Sequence, residues 1–122
     1  MSDQVAITPR VEAWRAAWQS GDAARVAALY AAHATHDSAK VVMAMPALGR
    51  SFLKGQAEIE AYALRAFGRV HPLRFDITRL VETDLGSTVE YIRHAPNAEP
   101  LRVCEVLEWR HGKLVAVRVY HF

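Results

Sequence analysis

Cysteine is nearly absent: Cys104 stands alone among 122 residues. One thiol cannot form an internal disulfide, so a packed core must hold the fold, and a reducing compartment suits it. An excess of charge is missing as well. A net charge of +2 with dispersed basic residues argues against a nucleic-acid or membrane-surface partner. No apolar run reaches the roughly 20 residues of a spanning helix, and Met1 to Arg10 lacks a signal-peptide pattern. A cytoplasmic protein is therefore expected. Repeats, low-complexity tracts and linker-like stretches are lacking too, so residues 1–122 read as one domain. There is no phosphate-cradling glycine loop, zinc spacing or Ser-His-Asp order, and neither cofactor nor metal is expected.

What the chain does have is apolar content, 52% of its residues, enough for a real core. Thr8-Pro9 reads as a helix start, with threonine as cap and proline in the first turn. Val11, Trp14 and Trp18 follow at helical spacing until Ser20-Gly21. Asp22 caps a second helix over 23–32 that buries Val26, Ala27, Leu29 and Tyr30. The polar stretch His33 to Ser38 has no clear pattern. Lys40 to Met45 reads as a strand stopped by Pro46, and Arg50 to Leu53 as a short return. A third helix runs over 56–67 with Ile59, Tyr62, Ala63 and Ala66 inward. Beyond Gly68 the pattern turns to strands: Leu73-Phe75-Ile77 alternates with polar residues, and Ser87 to His94 alternates without revealing which face is inward.

The last stretch, Leu101 to Phe122, reads as a hairpin. Leu101, Val103, Glu105, Leu107 and Trp109 share one face of the first strand, and Val115, Val117, Val119 and His121 share one face of the second. A two-residue loop at His111-Gly112 would pair Glu105 with Arg118; a three-residue loop would pair Glu105 with Val117 and Leu101 with His121. The second gathers the aliphatic side chains on one face and is preferred. Either way Glu105 stands in an apolar wall, where a carboxyl either finds a partner such as Arg93 or keeps its proton to a higher pH. The order of elements is α+β: helices from the N-terminal half pack on one side of a curved antiparallel sheet and enclose a conical pocket.

Several stretches resemble the nuclear-transport-factor-2-like superfamily, in its branch of SnoaL-like cyclases and ketosteroid isomerases. They are Trp18-Gln19-Ser20-Gly21-Asp22 with Leu29-Tyr30, Pro46-Ala47-Leu48-Gly49 with Gly55-Gln56-Ala57-Glu58-Ile59, Glu105 to Trp109, and Gly112 to His121. The resemblance implies a cone of three helices on a curved sheet, commonly a homodimer. It implies that Glu105 takes the place of the isomerases' protonated acid on the penultimate strand. Their tyrosine on the first helix is replaced by Trp14, and their aspartate base by Met45, or by Asp37 or Ser38 if the second helix sets the alignment. The steroid isomerase mechanism is therefore not implied.

The candidate chemistry is acid–base. Glu105 would be acid or oxyanion donor, with His121 or Asp37 moving the proton, and His36 beside Asp37 a further proton carrier. Adjacent strand residues face opposite ways, however, so His36 and Asp37 do not both enter one pocket. His33, His36 and Asp37 have the residue types of a metal triad, but His33 falls at a helix end and nothing else supports a metal. The pocket is expected from Trp14, Trp18, Tyr30, Met43, Met45, Tyr62, Val103, Leu107, Val117 and Val119, a lining for a small hydrophobic molecule. Cys104, Val106, Ala116 and Tyr120 among Arg102, Glu108 and Arg118 make the outer face of the hairpin a candidate homodimer surface. The function expected is proton transfer on an apolar cyclic or polyketide-like substrate; the alternative is a binding or accessory dimerisation module of the same fold.

Overall fold

The computed structural model describes residues 5–122; the first four positions of the Met1–Arg10 stretch lie outside them. Helix α1 spans Pro9–Ser20 and buries Val11, Trp14, Ala17 and Trp18, the face the spacing predicts. Thr8 holds the cap position, but its hydroxyl donates to Glu82 at 2.5 Å rather than closing the helix. Gly21 ends α1 in the left-handed region at φ +72°, where a side chain is strained. A Cβ there would also collide with the His71 imidazole. Gly21→Ala is expected to lower the unfolding free energy by about 1–2 kcal/mol, read by urea denaturation; an unchanged midpoint would refute the strain.

Asp22 caps α2, Ala23–Ala27, by accepting from the amides of Ala24 and Arg25. This helix is shorter than the sequence predicts. Strand β1, Tyr30–Ser38, begins at once and takes Tyr30 and the stretch from His33 to Ser38, because their backbone groups pair with two neighbouring strands. The residues expected as a strand, Lys40 to Met45, are mostly helical instead: α3 spans Ala39–Ala44. The β-branched pair Val41-Val42 favours a strand, but the Ser38 hydroxyl accepts from the Lys40 amide at 3.2 Å and starts a helix. A 3₁₀ turn, Pro46–Leu48, leads to β2, Phe52–Lys54. Helix α4, Gln56–Arg69, buries Ile59, Tyr62 and Ala63. Among the described residues four α-helices thus stand where three were expected.

The four remaining strands form a meander: β3 Arg74–Glu82, β4 Gly86–His94, β5 Leu101–Arg110 and β6 Lys113–His121. The six-stranded curved sheet runs β2-β1-β6-β5-β4-β3. It is not wholly antiparallel, since β1 and β6 pair in parallel.

The terminal hairpin corrects the preferred register. Both His111 and Gly112 have positive φ, 51° and 75°, as a two-residue turn with both central residues left-handed requires. Arg110 pairs with Lys113 and Trp109 with Leu114. An irregularity then shifts the pairing, so that Glu108 meets Ala116, Glu105 meets Val119 and Val103 meets His121. Val115 is the extra residue of this bulge. The bulge restores the parity a plain two-residue turn would lose, and Val117, Val119 and Glu105 share a face after all.

Candidate functional site

Helices and sheet enclose a cavity of about 230 Å³. Its aromatic and apolar lining comes from Trp18 of α1, Tyr62 and Ala66 of α4, Leu73 just before β3 and Phe75 within it, Tyr91 of β4 and Val119 of β6. Met43 and Ala44 of α3 and Val70 complete the apolar part. Into this lining come His36 and Ser38 from β1, Glu105 from β5, His121 from β6, and the cations Lys40, Arg69 and Arg93.

Glu105 is 4% exposed and is the only acid in the wall among the described residues. The Tyr91 hydroxyl donates to its Oε2 at 2.5 Å, while Oε1 is buried with no partner among the described residues. Burial pushes the carboxyl up from 4.5 to about 7, against the opposing pull of the Tyr91 bond. No ion pair joins it to Arg93 among the described residues.

Tyr91 is the residue sequence reasoning missed. Register decides it: Val89 lies directly opposite Glu105, so Tyr91, two residues on, is its diagonal neighbour on the same face. Trp14 supports this tyrosine from below, with ring centroids 5.5 Å apart, and Phe75 stacks on it at 4.4 Å.

His36 is 3% exposed. Burial lowers its imidazole from 6.5 to about 4, so it is neutral near pH 7. Its Nδ1 lies 2.9 Å from the Tyr30 hydroxyl. This phenol is fully buried and its only proton must find an acceptor, so Tyr30 donates to Nδ1 and leaves His36 as the Nε2–H tautomer. Burial raises the pKa values of Tyr30, Tyr62 and Tyr91, and the nearby Glu105 carboxylate adds to each; Tyr62 reaches about 12. All three stay protonated at neutral pH.

The other candidates divide. His121 lines the cavity but is largely exposed; partial burial lowers its pKa, with Lys40 and Arg93 adding. Asp37 is exposed and accepts a hydrogen bond from Ser51 at 3.3 Å, on the face opposite His36, so it does not reach the cavity. His33 is exposed as well, and the triad with His36 and Asp37 does not converge. No group of three or more metal-ligating side chains occurs among the described residues.

Of the expected lining, Trp18, Met43, Tyr62 and Val119 touch the cavity. Trp14, Tyr30, Val103, Leu107 and Val117 are buried behind it as core. Met45 packs against that core where α3 ends, because the predicted strand is a helix. No helix among the described residues is long and apolar enough to cross a membrane.

Solved structures share this fold at low identity. A hypothetical protein with a ketosteroid isomerase-like fold from Catenulispora acidiphila DSM 44928, solved with trimethylamine, is 21% identical over 93% of this chain and 86% of its own, with a TM-score of 0.75. A SnoaL-like protein from Burkholderia thailandensis is 17% identical over 91% and 89%, with a TM-score of 0.75. A Sinorhizobium meliloti protein, provisionally a polyketide cyclase, is 10% identical over 93% and 95%, with a TM-score of 0.76. No curated protein sequence matches the chain. The profile of the SnoaL-like domain matches residues 11–117, and the chain belongs to that family.

Proposed function

We propose that the cavity binds a small, mainly apolar cyclic molecule and moves a proton on it, with Glu105 as the proton carrier. One observation carries the reading: a carboxyl buried in a cavity wall, one oxygen held by Tyr91, the other unpartnered among the described residues, and a pKa of about 7. A general base or acid works best when its pKa lies near the operating pH. The ionised carboxylate would take a proton from carbon next to a carbonyl, the C–H electrons passing to the carbonyl as an enolate. The same carboxyl, now protonated, would return the proton to that carbon or to a conjugated one. His36 Nε2–H is a neutral donor in the same wall, the type of group that stabilises a developing oxyanion. A volume near 230 Å³ suits one or two rings and lies below the roughly 300–1,000 Å³ of most ligand sites.

Incubation with cyclohexanone, 2-cyclohexenone and 2-tetralone in D₂O, followed by ¹H NMR, tests this. Deuterium entering at the α or γ carbon faster than in buffer supports it. Ligand-induced shifts without exchange would leave a binding module of the same fold. A second binding reading has its own motive, since the Catenulispora protein was solved with trimethylamine. Trp18, Tyr62, Phe75 and Tyr91 could cage such a cation, but three cations in the same wall oppose it.

The proposal keeps the expected setting, a reducing cytoplasm with Cys104 a free thiol, and a homodimer through the outer sheet face. Cys104, Val106 and Ala116 are half-buried there and Tyr120 is 52% exposed. Sedimentation equilibrium should give twice the mass of 13.6 kDa and revert toward it in Tyr120→Glu.

A further inference from the structure

Proton transfer leaves the cationic part of the wall unexplained. Lys40 of α3, Arg69 at the end of α4 and Arg93 of β4 all line the cavity. None of the three makes an ion pair among the described residues, and Nε of Arg93 is buried with no hydrogen-bond acceptor there. Some arginines outside the cavity do find carboxylates: Arg10 with Glu82 at 2.9 Å, Arg50 with Glu58 at 2.9 Å, and Arg118 with Glu108.

Glu105, the one acid in the wall among the described residues, is turned to Tyr91. Like charges therefore stand together. The Lys40 ammonium is lowered by partial burial and further by Arg93 and Arg69, and His121 shows the influence of Lys40 and Arg93. Cations gathered in a concave wall repel one another and raise the local concentration of anions.

We propose that the molecule bound in this cavity carries an anionic group, a carboxylate, seated on Arg93 with Lys40 and Arg69 beside it. Its ring then lies against Trp18 and Phe75. The planar guanidinium fork matches a carboxylate in two parallel hydrogen bonds, and no acceptor among the described residues competes for Arg93 Nε. The ligand class is a small cyclic carboxylic acid. This rests on the cavity receiving a small organic molecule, as above, and not on any proton transfer.

The test is a titration of the full chain, followed by ¹⁵N NMR, with three ligands of one ring. They are cyclohexanecarboxylate, the neutral cyclohexanecarboxamide and the cationic cyclohexyltrimethylammonium. The carboxylate should bind at least about tenfold more tightly than the amide, a difference of about 1.4 kcal/mol. The preference should shrink as salt approaches about 1 M, where screening acts within roughly 3 Å. In Arg93→Gln the ratio of the two affinities should fall toward one, and Arg93→Lys should restore part of it. Equal binding of carboxylate and amide, or preference for the ammonium, overturns the inference while leaving the cavity a binding site. If none of the three shifts the cavity resonances, the inference and the pocket reading fall together. Carboxylate preference without deuterium exchange upholds the inference and removes the proposed chemistry.

Discussion

Glu105→Gln is expected to slow deuterium entry into the responsive cyclic ketone or enone by about 10²–10⁴-fold, the range a positioned acid or base supplies. The substitution is nearly isosteric. The amide oxygen can still accept from Tyr91, which now donates to Oε2 at 2.5 Å, so the wall keeps its shape. What disappears is the ability of the carboxyl, whose Oε1 has no partner among the described residues, to bind and release a proton. The wild-type rate should rise with pH through about 7, where burial sets the carboxyl, and level off above it. The variant should lose that profile as well as the rate. Asp in place of Glu105 restores a titrating group on a shorter stem, so it should recover the pH profile but only part of the rate. An unchanged rate in Glu105→Gln would show that another group carries the proton.

How far this site could be read beforehand depends on whether local or distant pairing decides each residue. Glu105 was legible because Leu101, Val103, Leu107 and Trp109 alternate around it, and alternation alone places it on the apolar face. The superfamily was legible in the order of its short motifs. Tyr91 was not, because either parity of residues 87–94 mixes apolar and polar side chains; only the pairing of Val89 with Glu105 settles the face. His36 and Asp37 pose the same problem. The parallel pairing of His36 with Val117 turns the histidine inward and the aspartate out, and no local pattern contains a contact between chain segments so far apart. The strand expected at Lys40 to Met45 failed for a different reason, since one hydroxyl, that of Ser38, outweighs the strand preference of Val41 and Val42. Residues Lys40, Arg69 and Arg93 carry no sequence signal in common and meet only when α3, α4 and β4 close on the cavity.

The stability of the folded chain should be nearly level between pH 4.5 and 6.5, and that flatness should be a cancellation of two large slopes. Glu105 titrates at about 7 when folded against 4.5 ordinarily. Between those values the folded state holds a proton the unfolded chain has released, so stability falls as pH rises, by up to about 1.4 kcal/mol per unit. His36 titrates at about 4 when folded against 6.5 ordinarily. Between those values the unfolded chain holds the extra proton, so stability rises with pH at the same limiting slope. The windows overlap from 4.5 to 6.5 and the slopes oppose. Above 6.5 only the Glu105 slope remains, and it ends near 7. His121, lowered in the same direction as His36 but more exposed, adds a weaker rise. Removing either buried group should uncover the other. In Glu105→Gln, stability should climb by about 3 kcal/mol from pH 4 to 6.5. In His36→Asn, whose amide oxygen can accept from Tyr30, it should drop by about 3 kcal/mol from pH 4.5 to 7. Urea unfolding across this range, with one m-value per variant, measures both. Slopes that stay parallel to wild type would mean that neither carboxyl nor imidazole is desolvated, and the pocket would lose the property on which its chemistry depends.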